Sequence, residues 1–185
     1  MGATEDAASH CPAWPSGSRL ILKRVLRVAV VSDTHLPRGA RRLPDACLRE
    51  LERAELILHG GDVVAASVLE ELSELAPVEA VRGNMDLPEL WSLPERRVVE
   101  AACTRIGMIH DPGPRVGREQ RLVAAFPGCA AVVYGHTHVP QVEEAAGAWI
   151  LNPGSPTERR RAANRSLLVL EVEGGRVRPR LVELS

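Results

Sequence analysis

Val30-Val31-Ser32-Asp33-Thr34-His35 is the stretch on which the fold turns. Apolar, β-branched residues give way to an aspartate, a threonine and a histidine, the pattern of a buried strand that delivers two metal-capable side chains at its exit. Asp33 and His35 are two residues apart. In extended backbone such a pair projects to one side, so a carboxylate oxygen and an imidazole nitrogen are expected to converge there. Alone, the tripeptide equally describes a polar loop after a strand; its weight comes from repetition.

Outward from this stretch, the chain repeats the same exit. Strands are expected at 28–31, 56–58 and 78–81, with amphipathic helices at 43–54 and 65–75 between them. Pro44 suits a first helical turn and Pro77 halts the second helix. Strands alternating with helices imply parallel pairing and right-handed crossovers, which bring the strands' C-terminal ends to one ligand-binding edge. The second half leans toward strands, at 97–101, 105–109, 130–134, 139–142, 148–151, 167–172 and 177–184. A helix at 118–126 ends at Pro127-Gly128, and Glu173-Gly174-Gly175-Arg176 reads as a hairpin turn. The expectation is an α/β sandwich with antiparallel closing strands. Residues 1–25 read as an N-terminal extension whose Ala, Ser, Gly and Pro mixture propagates neither helix nor strand, and 26–185 as a single domain.

Composition excludes several classes. A formal charge of −1 is no footprint for a protein that holds nucleic acid through its phosphates, so no stable nucleic-acid binding is expected. No apolar run approaches the roughly 20 residues of a membrane span, and no membrane partner is expected. The first 19 residues lack the apolar core of a secretory signal, which sets the expected location as cytoplasmic. Cys11, Cys47, Cys103 and Cys129 form no Cys-x-x-Cys pair, so neither a zinc ribbon nor a redox motif is suggested and reduced thiols are expected. The oligomeric state is left open, with a homo-oligomer among the expected partners.

Five apolar runs end in Asp33/His35, Asp62, Asn84, His110 and His136/His138, and four of the six histidines lie at such ends. Glycines flank them at Gly60-Gly61, Gly83 and Gly135, where crowding around an ion needs sharp turns and close backbone approach. Seven donors, with one carboxylate able to bridge, supply two ions with about four protein ligands each. Nitrogen and oxygen donors without thiolate suit two divalent transition ions, Mn²⁺ first, with Fe, Co, Ni or Zn as alternatives, better than Ca²⁺.

Asp33-Thr34-His35, Gly61-Asp62, Gly83-Asn84-Met85-Asp86, His110 and Gly135-His136-Thr137-His138, in that order, resemble the motifs of the calcineurin-like metallophosphoesterase superfamily, in its small single-domain bacterial and archaeal phosphodiesterase branch. Asn152-Pro153-Gly154-Ser155 resembles a further loop of that family. The resemblance covers the chain from Arg27 onward and implies a β-sandwich of mixed sheets flanked by helices, in four layers α/β/β/α. It implies one metal on Asp33, His35, Asp62 and His138 and another on Asp62, Asn84, His110 and His136, with Asp62 bridging. A metal-bridging hydroxide would attack a small phosphorylated substrate in line, with Asp62, Asn84 and His110 among the metal-site residues that serve the reaction.

Two departures stand out. Many members carry a histidine after the motif asparagine, proposed as leaving-group acid; this chain has Met85, which implies activated or aryl leaving groups and slow turnover of unactivated diesters. Where many relatives have His-Gly-His, this chain reads His110-Asp111-Pro112. His59 and Asp86 are candidates for supporting the ligands, and Arg38, Arg82 and Arg115 for clamping phosphate, although hydrogen-bonded or solvated roles suit each as well. Trp91 and Trp149 read as packing residues. Two alternatives remain beside a phosphodiesterase: a phosphomonoesterase, and a protein-interaction scaffold of the same fold, which the complete donor set disfavours.

Overall fold

Both faces of the first strand are apolar, and the fold buries both. In the computed structural model, which describes residues 25–39 and 41–184, the chain runs β1 (Leu26–Val31), α1 (Asp45–Glu52), β2 (Leu56–His59), α2 (Ala66–Ser73), β3 (Val78–Ala80), β4 (Arg96–Ala101) and β5 (Thr104–Ile109). It continues through α3 (Arg118–Ala125), β6 (Ala131–Tyr134), β7 (Gln141–Ala145), β8 (Ala148–Asn152), β9 (Arg165–Glu173) and β10 (Arg176–Leu184). Two five-stranded mixed sheets result, ordered β10-β9-β1-β2-β3 and β4-β5-β6-β8-β7.

Alternation along the strands builds the layers. Val28 and Val30 enter a core between the sheets with Leu58, Met108, Val133, Leu151 and Leu168, while Ala29 and Val31 face α1 and α2 through Cys47, Leu51, Val68 and Leu72. On the far side Val132, Tyr134 and Ile150 pack under Leu122 and Phe126, at and beyond the end of α3. Helix, sheet, sheet, helix is the expected four-layer α/β sandwich. Leu58 is wholly buried in the central core, and truncating such a leucine to alanine costs about 2–5 kcal/mol.

Pairing of β1 with β2 and of β2 with β3 is parallel, so their exits share one edge. Strands β5 and β6 are likewise parallel, and their exits meet the first group. The hairpin β9–β10 closes at Gly174-Gly175, both at positive φ, as a tight two-residue turn requires.

Several expectations are corrected. The strand placed at 139–142 begins at Gln141, because Pro140 has no N–H to give the ladder. The closing strands are antiparallel in β9–β10 and β7–β8, but β8 runs parallel to β6. Cys47 and Cys129 are free and buried as expected, whereas Cys103, exposed on the β4–β5 turn, is disulfide-bonded rather than reduced. The N-terminal extension, with His10 and Cys11, lies outside the described residues apart from Val25. Among the described residues no helix is long and apolar enough to cross a membrane.

Candidate metal centre

The loops leaving β1, β2, β3, β5 and β6 lock together before any side chain is considered. Asp33 N–H donates to Gly61 O (2.9 Å), His35 N–H to Asp62 O (3.0 Å) and Gly135 N–H to His110 O (3.0 Å). Asp33, His35, Asp62, His136 and His138 all adopt left-handed backbone, with φ between 47° and 67°. Asp33 and His35 therefore do not share a side by extended-strand alternation, as the sequence suggested; β1 stops at Val31 and two left-handed residues re-aim the side chains. Such conformations cost energy and persist where surrounding contacts over-determine them. Gly83 and Gly135 have ordinary φ, so what they supply is closeness: a Cβ at Gly83 would lie 2.1 Å from Asp62 N, and one at Gly135 2.1 Å from Ser32 Oγ.

All seven donor residues come together, in two groups. In the first, His138 Nε2 lies 3.2 Å from Asp33 Oδ1 and 3.3 Å from His35 Nε2, and His35 Nε2 lies 3.7 Å from Asp62 Oδ2. In the second, His110 Nε2 lies 3.4 Å from Asp62 Oδ1 and 3.1 Å from Asn84 Oδ1, which in turn is 2.9 Å from His136 Nδ1. The two oxygens of Asp62 thus face different groups. Asp33, Asp62 and His110 also hold ligand atoms within 4.8 Å of one another, so Asp33 stands nearer the second group than the sequence assignment has it.

The donor chemistry fits cations. His110 Nδ1–H donates to Gly60 O (2.8 Å), which leaves the Nε2 lone pair of a neutral ring facing the acceptors Asp62 Oδ1 and Asn84 Oδ1. Acceptors that converge on acceptors call for a positive charge among them. Edges of a coordination shell with bonds of about 2.1 Å run roughly 3.0–3.4 Å, close to the observed separations. Without an ion, a proton takes that part. Burial pushes the His110 pKa down, but the hydrogen bond with Asp62 and the charges of Asp33 and Asp62 more than reverse it. Asp62 answers in kind: burial raises its pKa, and His110 with the Met85 N–H (2.8 Å) brings it below the usual carboxylate value. Burial lowers His35 despite its acidic neighbours.

The loop after β8 fastens both groups. Asn152 Nδ2 donates to Gly135 O (2.9 Å) and Thr137 Oγ1 (3.1 Å), Ser155 Oγ to Asp33 O (2.8 Å) and Thr157 Oγ1 to Thr34 O (2.8 Å). The lesser candidates sort similarly. His59 is wholly buried; its Nδ1 accepts from Gly61 N–H and its Nε2 lies 3.1 Å from Thr34 Oγ1, so it braces the ligand loops and burial lowers its pKa to about 4. Asp86 accepts from Val64 N–H (2.8 Å) and Gly83 N–H (2.7 Å), tying down the turn that carries Asn84. Arg82 is paired with Glu95, Arg38 reaches Glu158 at 3.4 Å, and Arg115 is exposed. Trp149 packs at the central core as expected, but Trp91 is 59% exposed.

Sequence reasoning stopped at Ser155 and missed Glu158, whose Oε2 lies 3.7 Å from His138 Nδ1. A lone carboxylate inside the run Glu158-Arg159-Arg160-Arg161 was the available signal. Burial raises its pKa, but hydrogen bonds from Arg41 and Arg160 together bring it below the ordinary value. A cleft of about 270 Å³ opens beside Asn84 and His110, whereas a larger one of about 440 Å³ between α1 and α2 is lined by none of the seven donors.

Comparison with known proteins agrees with this architecture. A probable metallophosphoesterase of Methanothermobacter thermautotrophicus is 40% identical over 149 residues, covering 80% of this chain and 86% of the relative. The solution structure of a Thermotoga maritima protein superposes with a TM-score of 0.67 at 34% identity, covering 86% of this chain and all of that one. Vacuolar Protein Sorting 29 of Cryptosporidium parvum gives a TM-score of 0.70 at 25% identity, over 87% and 98% of the two chains. Residues 26–175 match the calcineurin-like phosphoesterase superfamily domain, and the chain belongs to that superfamily, in its small single-domain branch.

Proposed function

We propose that this metal-dependent phosphoesterase hydrolyses small phosphodiesters, nucleotide-type diesters among them, with two divalent ions, Mn²⁺ foremost. Asp33, His35, Asp62 and His138 would hold one ion and Asp62, Asn84, His110 and His136 the other. The observation that carries the reading is Asp62, whose Oδ2 faces His35 and whose Oδ1 faces His110. Bound ions would supply a hydroxide at neutral pH and Lewis-acid stabilisation of the phosphoryl oxygens.

The chain's own residues set the substrate's place. The cleft beside Asn84 and His110 is lined by Arg82, Arg96, Glu95 and Asp111; Arg82 is committed to Glu95, which leaves Arg96 as the lining guanidinium suited to a phosphate oxygen. Met85, Leu87 and Trp91 are exposed on the segment after Asn84 and would offer apolar surface to an aryl or nucleoside group. Met85 carries no proton to give, so a poor leaving group departs unassisted and activated diesters are the better substrates.

The test is hydrolysis of bis-p-nitrophenyl phosphate with added Mn²⁺ by the wild type, Asp62→Ala and His136→Ala, with p-nitrophenyl phosphate as the monoester comparator. Activity in the wild type alone is expected, with the diester preferred; equal activity in all three proteins would overturn the reading. The likeness to Vacuolar Protein Sorting 29 favours a second reading, a protein-interaction scaffold. Purified protein that retains no ion and hydrolyses neither ester with any divalent metal would select it.

A further inference from the structure

His138 spends Nε2 on the side of Asp33 and His35, and its other nitrogen is left without a hydrogen bond. His138 is wholly buried, and Nδ1 has no partner within hydrogen-bond distance. A buried imidazole N–H without an acceptor costs about 1–3 kcal/mol, so the placement needs a reason. The carboxylate of Glu158 stands 3.7 Å away, and that side chain is itself only 11% exposed.

We propose that Glu158 is the positioning residue of the centre: it takes the Nδ1–H of His138 and thereby aims the Nε2 lone pair at the ion held with Asp33 and His35. This rests on the metal reading above. The carboxylate is anchored for the task from several sides. Arg41 Nη1 reaches Oε1 at 2.5 Å, Arg38 Nη1 at 3.4 Å, and Arg160 Nε reaches Oε2 at 3.0 Å. Its backbone N–H donates to Ser155 Oγ (3.0 Å), and that hydroxyl donates to Asp33 O (2.8 Å), so one short loop ties Glu158 to the ligand strand exit. A shift of well under an ångström brings the carboxylate into hydrogen-bond range of Nδ1. A carboxylate behind a ligating imidazole fixes the ring's tautomer and orientation and raises its basicity, and losing one costs typically 10–100-fold in metal affinity.

The experiment is Mn²⁺ titration followed by the EPR signal of the free ion, on wild type, His138→Ala, Glu158→Ala and Glu158→Gln, with urea denaturation in EDTA alongside. His138→Ala identifies which binding event belongs to this half of the centre. Glu158→Ala is expected to weaken that same event about 10–100-fold and leave the other within about threefold. Glu158→Gln, which keeps an oxygen acceptor, is expected to recover most of the loss, with its denaturation midpoint in EDTA close to that of wild type. Unchanged affinity in Glu158→Ala would overturn the proposal, as would equal weakening of both events or a glutamine variant no better than alanine. A wild type that binds no Mn²⁺ overturns the metal reading itself, before any variant is compared.

Discussion

The two halves of the centre use similar donors in unlike surroundings. Asp33, His35 and His138 are between 0 and 3% exposed, clamped by Ser32 and the loop after β8, with the Glu158 carboxylate 3.7 Å from His138. In the other half, beside the shared Asp62, only His110 is buried; Asn84 and His136 are exposed, and Asn84 and His110 line the cleft beside β4 and β5. On the proposed two-metal reading, an enclosed half surrounded by low dielectric and fixed backbone would retain its ion, while an open half would exchange ligands and admit a substrate. That reading divides the constellation into a half that holds and a half that meets.

The sharpest way to break this division is to remove one imidazole from each half. His138→Ala is expected to weaken Mn²⁺ binding at one event by more than about 100-fold, beyond the loss typical of a supporting group. His136→Ala, where water can take the vacated position, is expected to cost only about tenfold. Equal losses in calorimetric titrations would erase the distinction. Next in size is the seam where the sheets meet. A Cβ at Gly135 would lie 2.1 Å from Ser32 Oγ, 2.8 Å from Gly60 O and 2.9 Å from Asp33 Oδ2, so Gly135→Ala is expected to cost about 3 kcal/mol in urea denaturation. Its effect should fall on the enclosed half, whose Asp33 carboxylate it crowds.

His59 gives a smaller, pH-dependent effect on that half. Its folded pKa, about 4, lies below the unfolded value near 6.5, so as pH falls the unfolded chain takes the proton first. The contribution to stability is therefore complete above pH 6.5 and lost progressively down to about pH 4. Between pH 7 and pH 5 the loss is about 2 kcal/mol in metal-free protein. His110, with its raised pKa, has the opposite sign: its contribution is complete below 6.5 and lost as pH rises through the folded value. Subtracting His59→Gln from wild type at each pH isolates the His59 contribution, and a flat difference would refute the assignment.

The strand exits of both halves were legible in the sequence, and the contacts that aim the enclosed half's donors were not. Apolar runs ending in Asp33, Asp62, His110 and His136 located the strand exits because alternation and turn residues are local signals. The left-handed backbone at five of the candidate donors was not legible, since none of those positions is a glycine and only tertiary contacts hold them there. Nor was Glu158, which is 20 residues beyond His138 in sequence and reaches it through the loop after β8. The expectation of antiparallel closing strands failed at β8 for a similar reason: it pairs parallel with β6 although only β7 separates them, a choice that no local pattern encodes.

Asp86 offers the finest test of how the open half is held. Its Oδ1 accepts from Val64 N–H and its Oδ2 from Gly83 N–H, so one carboxylate stitches the turn bearing Asn84 to the segment after Asp62. In Asp86→Asn one oxygen still accepts, but the new NH₂ group confronts an N–H and one half-buried amide loses its partner. The stability cost is about 1 kcal/mol. If that cost is borne by the turn, Asn84 loses its fixed position and Mn²⁺ binding at the open half weakens by about fivefold, the equivalent of the same free energy. The enclosed half shares no hydrogen bond with Asp86, and its affinity should stay within error of wild type. A matching drop at both halves would mean that the two ions sense one common scaffold, and the division between a half that holds and a half that meets would fail.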